Sequence, residues 1–165
     1  MIEPSADELA IYDDISKLGE RLWRISTTIE GLSTDPKMFS IMLYKRLWSN
    51  HRGYTLLWKS HLDLEANIVL RSAVEAAIAI AANMRLGREF VDLMKGDAIY
   101  SVLGQIKLHR ENGDKDAERE AEAVVRQIRS ALPNGVKSAA LNWKDLADKN
   151  EVPQLYFFHK MLSSV

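Results

Sequence analysis

The chain holds 165 residues, 47% of them hydrophobic, with no cysteine and a formal net charge of −1. That length suits one domain with a core large enough to hold without cross-links. The missing cysteine excludes a disulfide scaffold, a thiol nucleophile and a cysteine-ligated zinc or iron–sulfur site. The near-balanced charge excludes a uniformly basic nucleic-acid binder and leaves room only for a local basic face.

The N-terminus is acidic, with Glu3, Asp7 and Glu8, where a secretory leader needs a basic start and an apolar run. Ser5 with Glu8 three residues on is the pattern of a capping box, so a first helix is expected to start there. Ile11, Ile15, Leu18, Leu22, Ile25 and Ile29 follow in alternating steps of four and three, the a/d spacing of a coiled coil. Such a stripe packs on its own domain, and it is also the seam by which a helix zips against a second subunit. Gly31, Ser33 and Thr34 are expected to end it.

Asp35-Pro36 marks a second helix start. Phe39, Met42, Leu43, Leu47, Tyr54, Leu57 and Trp58 then recur at helical spacing, with Gly53 a possible kink. After a polar break at Ser60 to Asp63, an alanine-rich third helix runs to about Arg85, with Gly87 as its stop. Its stretch from Ala66 to Ala82 is the most apolar of the chain. Asn67, Arg71, Ser72 and Glu75 interrupt it, so it reads as a buried helix and not a membrane span. A fourth helix is expected over Glu89 to His109, weakened at Gly96, and a turn at Glu111 to Asp114. A fifth places Ala117, Ala121, Val124, Ile128 and Ala131 on one face and stops at Leu132-Pro-Asn-Gly135. A short helix from Trp143 to Ala147, capped by Asn142, and a last one from Gln154 to Ser164 complete the chain. Val and Ile fall at helical and not alternating spacing. The expectation is an all-α protein, a single-domain bundle of five or six helices over residues 1–165, cytoplasmic and without membrane contact. The last residues, Tyr156 to Val165, are apolar and aromatic. They point to a tightly packed helix or to a chain cut within an element.

Arg71 and Glu75 lie four apart on one helix face among Leu64, Ile68, Ile78 and Ala82. As a structural feature they are an ion pair on an apolar helix, which desolvation makes costly unless it is well paired. As a functional one, with Asn67, Ser72 and His61 beside them, the arginine holds an anionic ligand and the glutamate acts as a base or orients one. From Lys37 to Leu62 there are five basic residues and no acidic one. On a continuous helix Lys37, Lys45, Arg52 and Lys59 share a face with Trp48, a surface suited to phosphates or single-stranded nucleic acid. Met1 to Glu20, with six acidic residues and one lysine, offers this face an internal counter-charge. Nucleic acid is therefore a possible partner but not the favoured one. His61 and Glu65 are too few for a metal, His109 and His159 are isolated, and no phosphate-binding glycine loop or serine elbow is present. No metal or cofactor is expected.

Two resemblances accompany this reading. Ile68-Val-Leu-Arg-Ser-Ala-Val-Glu-Ala76, Trp143-Lys-Asp-Leu-Ala147 and Tyr156 through Ser164 resemble a widespread family of helical bacterial proteins of unknown function. In that family an Arg-Ser-x-x-Glu helix is followed by Tyr, a Leu-Ser pair and a His. Arg71, Ser72, Glu75, Tyr156, Leu162 and Ser163 match that pattern, and the histidine expected after Ser163 falls beyond Val165. The resemblance implies a helical bacterial protein and brings no activity with it. Arg46 and His51 are similar to the Arg-x4-6-His pattern of helical ribonuclease domains of toxin and defence systems, with Leu47 where a polar residue is usual. That similarity implies His51 as a base and Arg46 as a phosphate clamp; the Arg71/Glu75 group, with Glu75 as the catalytic candidate, is the other option for an enzyme. The leading expectation is a non-catalytic interaction or regulatory module that self-associates as a homodimer through the first helix and the aromatic terminus. The alternative is an enzyme directed at nucleic acid, a defence- or toxin-type ribonuclease.

Overall fold

The computed structural model describes residues 5–31, 36–133 and 136–163. Seven helices follow one another: α1 (Ala6–Ser26), α2 (Lys37–Lys59), α3 (Asp63–Leu86), α4 (Arg88–Glu111), α5 (Lys115–Ser130), α6 (Trp143–Lys149) and α7 (Pro153–Leu162), with no strand among the described residues. The all-α expectation holds. The helix count is seven and not five or six, and both short C-terminal helices stand where the sequence places them. They are separated at Glu151, which has a left-handed φ of 61°, and Pro153 opens the second. The chain divides into two compact units, Met1–Arg85 with Trp143–Val165, and Leu86–Asn142.

In the first unit α1 starts as the sequence predicts. Ser5 Oγ accepts from the Glu8 N–H, and the Glu8 carboxylate accepts from the Ser5 N–H at 2.8 Å. The helix stops at Ser26, earlier than Gly31, and Ile29 lies beyond it. The hydroxyls of Ser26, Thr27 and Thr28 each donate at 2.8 Å to the carbonyl three residues back, drawing the last turn closed. The Ser33, Thr34 and Asp35 part of the predicted boundary lies outside the described residues, and α2 begins just after Pro36. Gly53 does not split α2, which runs unbroken to Lys59.

Residue pairs show that α1 and α2 run antiparallel. Tyr12 meets Trp58, Tyr54 and His51, Gly19 meets Trp48, and Lys45 sits over the Trp23 ring. Gly19 permits this approach, since a Cβ there would stand 2.6 Å from Trp48 Nε1. The Tyr44 hydroxyl donates to the Gly19 carbonyl at 2.7 Å. The face that α1 turns to α2 is therefore Tyr12, Ser16, Gly19 and Trp23, and not the isoleucine–leucine stripe. Small side chains on α1 admit the aromatic rings of α2.

Next, α2 and α3 are tied by Asn83, whose Nδ2 donates to Ser40 Oγ at 2.6 Å and to the Pro36 carbonyl at 3.1 Å. The alanines of α3 (Ala66, Ala73, Ala76, Ala79 and Ala82), together with Ile78, are buried. On the same unit α7 runs antiparallel to α3, with Glu151 paired to Arg85 and His159 to Glu75.

The second unit is the α4–α5 hairpin. Asp114 caps α5 through the Ala117 N–H at 3.1 Å, and Gly113 takes the left-handed φ of 74° that the turn requires. Ile99, Ile106 and Val125 form its core, flanked by Val102, Ala121, Ile128 and Leu132. Gly96 does not break α4. It lets the following segment cross, because a Cβ at Gly96 would stand 2.7 Å from the Lys137 carbonyl oxygen. Nearby the Leu141 N–H donates to Asp97 Oδ1 at 2.9 Å. The Asn134 and Gly135 part of the predicted stop for α5 lies outside the described residues.

Candidate functional site

The first unit carries an apolar groove of about 400 Å³. Ile15, Leu18 and Leu22 of α1 form one wall. Trp48, His51 and Tyr54 of α2 lie along it, Leu70, Ala73, Val74 and Ala77 of α3 face α1 across it, and Leu155 of α7 reaches it. The groove exists because α1 leans on α2 by its small-residue face and leaves its stripe uncovered. Ile11, Ile15, Leu18, Leu22, Ile25 and Ile29 are each between 43% and 58% exposed. At one end, the His51 ring stacks on Tyr12 with centroids 5.7 Å apart, and its Nε2 lies 3.4 Å from Ser16 Oγ. The Tyr12 hydroxyl is pushed up to about 12, first by burial and then by its hydrogen bond with Tyr54.

A second constellation joins α3 to α7. Arg71 Nε lies 3.3 Å from Glu75 Oε1, and the same oxygen lies 3.1 Å from His159 Nε2. A carboxylate oxygen accepts, so His159 Nε2 is the donor in this contact. His159 is only 7% exposed, stacked on Tyr156 at 5.8 Å and near Trp143 at 6.1 Å, with its Nδ1 buried and unpartnered. Ser163 Oγ donates to the His159 carbonyl at 2.6 Å. Glu75, Tyr156 and Ser163 thus meet at His159, with Arg71 held by Glu75. Sequence reasoning treated His159 as isolated, whereas the structure buries it against Glu75. The available signal was spacing: His159 stands three residues after Tyr156 and four before Ser163, on their face of one helix.

The other candidates separate. Asn67 is half-buried on α3, while His61 is exposed in the α2–α3 turn with a left-handed φ of 59°. Ser72 faces α2, where Arg46 and Asn50 reach it. Arg46 and His51 point into different surroundings, the arginine to Ser72 and the histidine to Ser16 and Tyr12. Along α2, Lys37 donates to the Glu30 carbonyl at 2.8 Å, Arg52 lies over the Trp48 ring at 5.8 Å, and Lys59 is exposed. The Trp48 ring packs against Gly19 and is not presented as a stacking platform.

Among the described residues no group of three His, Asp or Glu residues is placed to hold a metal ion, and no helix is long and apolar enough to cross a membrane. No family model, curated protein or solved structure matches the chain.

Proposed function

We propose that this protein is a non-catalytic interaction module that pairs with a second copy of itself through α1. The observation that carries this reading is the outward a/d stripe. A seam of large aliphatic side chains at coiled-coil spacing is left half-exposed along a helix whose neighbouring face is already packed on α2.

Charge favours a second copy, and an antiparallel one. Asp14 and Arg21 are exposed on the free flank of the stripe, seven residues apart and of opposite sign. An antiparallel pairing that sets Ile15 against Leu18 of the second copy, and Ile11 against Leu22 of the second copy, brings each Asp14 beside the other copy's Arg21. Eight half-exposed aliphatic side chains are then covered, at about 1 kcal/mol each. The sum of about 8 kcal/mol falls within the ~4–15 kcal/mol that association costs, so the stripe alone approaches balance and the groove walls and charge pairs supply the surplus. The Arg71–Glu75–His159 cluster fits this reading as a tie that holds α7, and with it Leu155 of the groove, on α3.

Light scattering on the purified protein at micromolar concentration tests the reading. A dimer is expected, with Leu18→Glu monomeric at unchanged helical circular dichroism. Asp14→Lys should weaken the dimer and Asp14→Lys with Arg21→Glu should restore it. A monomeric wild type, or a Leu18→Glu protein that still dimerises, overturns the proposal.

A further inference from the structure

The groove bounded by α1, α2 and α3 has a volume of about 400 Å³. A helix with its side chains is about 10–12 Å across and cannot enter such a space. Pockets for small molecules run from roughly 300 to 1,000 Å³, lie between helices of bundles, and are lined mostly by apolar and aromatic side chains with a few polar groups. On the α3 side Ala73 and Ala77 carry only a methyl group each, which leaves the space open. A second copy of α1 seated on the outward stripe therefore covers the rim of the groove and leaves its interior to something smaller.

Charge narrows the occupant. No lysine, arginine, aspartate or glutamate is among the residues that line the groove. An ionised ligand would lose its water there and gain no opposite charge, so the lining selects against it. The groove is not wholly apolar, because His51 stands at one end. Its Nε2 reaches Ser16 Oγ only at 3.4 Å, which is long for a hydrogen bond. A ligand hydroxyl both donates and accepts, so it suits this nitrogen in either tautomer.

We infer that the groove is a binding site for one uncharged small molecule with an aliphatic or aromatic body and a single hydroxyl. The body lies between Leu18 and Leu22 of α1 and the alanines of α3, where its apolar surface leaves water. The hydroxyl turns to His51 and replaces the long contact with Ser16. Every residue that lines the groove belongs to one chain and to the first unit, so the site does not rest on self-association.

Titration calorimetry with octanol tests the site, in buffer at about pH 8, above the usual histidine range. Saturable binding of one octanol per chain is expected. Octanoate has the same length and an ionised head, and should bind weaker by about ten-fold or more. Ala77→Phe fills the groove and should abolish binding. His51→Phe keeps a ring but removes both nitrogens, and should weaken octanol binding about ten-fold. Toluene, which has no hydrogen-bonding group, should bind His51→Phe and the wild type alike. Helical circular dichroism checks the fold of each variant, and His51→Phe decides alone if Ala77→Phe does not fold. Asp14 lies outside the groove, so Asp14→Lys should bind octanol like the wild type in either oligomeric state, which separates this site from the dimer. Absence of saturable octanol binding, octanoate binding as tight as octanol, or wild-type octanol affinity in folded Ala77→Phe or His51→Phe overturns the site.

Discussion

At the scale of single residues, the presence or absence of one methyl group sets how closely α1 lies on α2. Gly19→Ala places a Cβ against the rigid Trp48 indole, at 2.6 Å from its nitrogen and 2.7 Å from Cδ1. Overpacking of this kind costs about 1–3 kcal/mol, so a lower denaturant midpoint with unchanged slope is expected. Tyr12 gives a second test at the same seam. Its hydroxyl is raised from 10.0 to about 12 by burial and by Tyr54. The folded state keeps the proton that the unfolded chain releases near 10. Its contribution to stability is therefore complete below that pH and lost as pH rises to about 12. Ultraviolet titration should show Tyr12 and Tyr44, both raised by burial, ionising after the exposed tyrosines, and Tyr12→Phe should flatten the fall in stability over that window. Neither residue stood out in the sequence. Gly19 falls between stripe positions, and the long-range partners that bury Tyr12 and pair His159 come from other helices.

At the scale of elements, periodicity revealed which faces of each helix are apolar but not which face is covered. The α1 stripe was legible to the residue, yet the structure covers the neighbouring face, because Gly19 lets the Trp48 ring of α2 come close. The capping box at Ser5 was legible because it is local, with both partners inside one turn. The early end of α1 was not, because hydroxyl-to-carbonyl bonds closed it before the glycine. Two glycines of α4 make the same point by contrast. A methyl at Gly96 meets the Lys137 carbonyl, whereas at Gly104 nothing lies within 4 Å. Gly104→Ala should stabilise by about 0.5–1 kcal/mol through helix propensity, and Gly96→Ala should destabilise by more than that. Thermal melts of the two variants side by side check this, and a rise in both would show that Lys137 does not crowd Gly96.

At the scale of the whole molecule, the units differ in how far along the chain their contacts reach. The α4–α5 hairpin is closed by near neighbours in sequence, such as Arg110 with Glu118, eight residues apart. The first unit is closed by Glu75 with His159, 84 residues apart, and by Arg85 with Glu151, 66 apart. Local contacts form faster than distant ones. Pulsed hydrogen exchange during refolding should protect α4 and α5 amides before those of α7. Simultaneous protection of all three would contradict that order. The division into two units was hidden from composition, because both are equally helical and no glycine- or proline-rich linker separates them. Which residues could carry chemistry was legible from residue type. Their grouping was not, because α3 distributes Ser72 toward α2 and Glu75 toward α7, a choice that periodicity along one helix leaves open.

The placement of tryptophan has an optical consequence. Trp23, Trp48, Trp58 and Trp143 all belong to the first unit, and three of them line the α1–α2 seam. Indole fluorescence is thus a private signal of that unit, and the α4–α5 hairpin is dark at tryptophan wavelengths. Far-ultraviolet circular dichroism sees every helix. Any gap between the two melting curves then isolates the hairpin's own transition, with no label added.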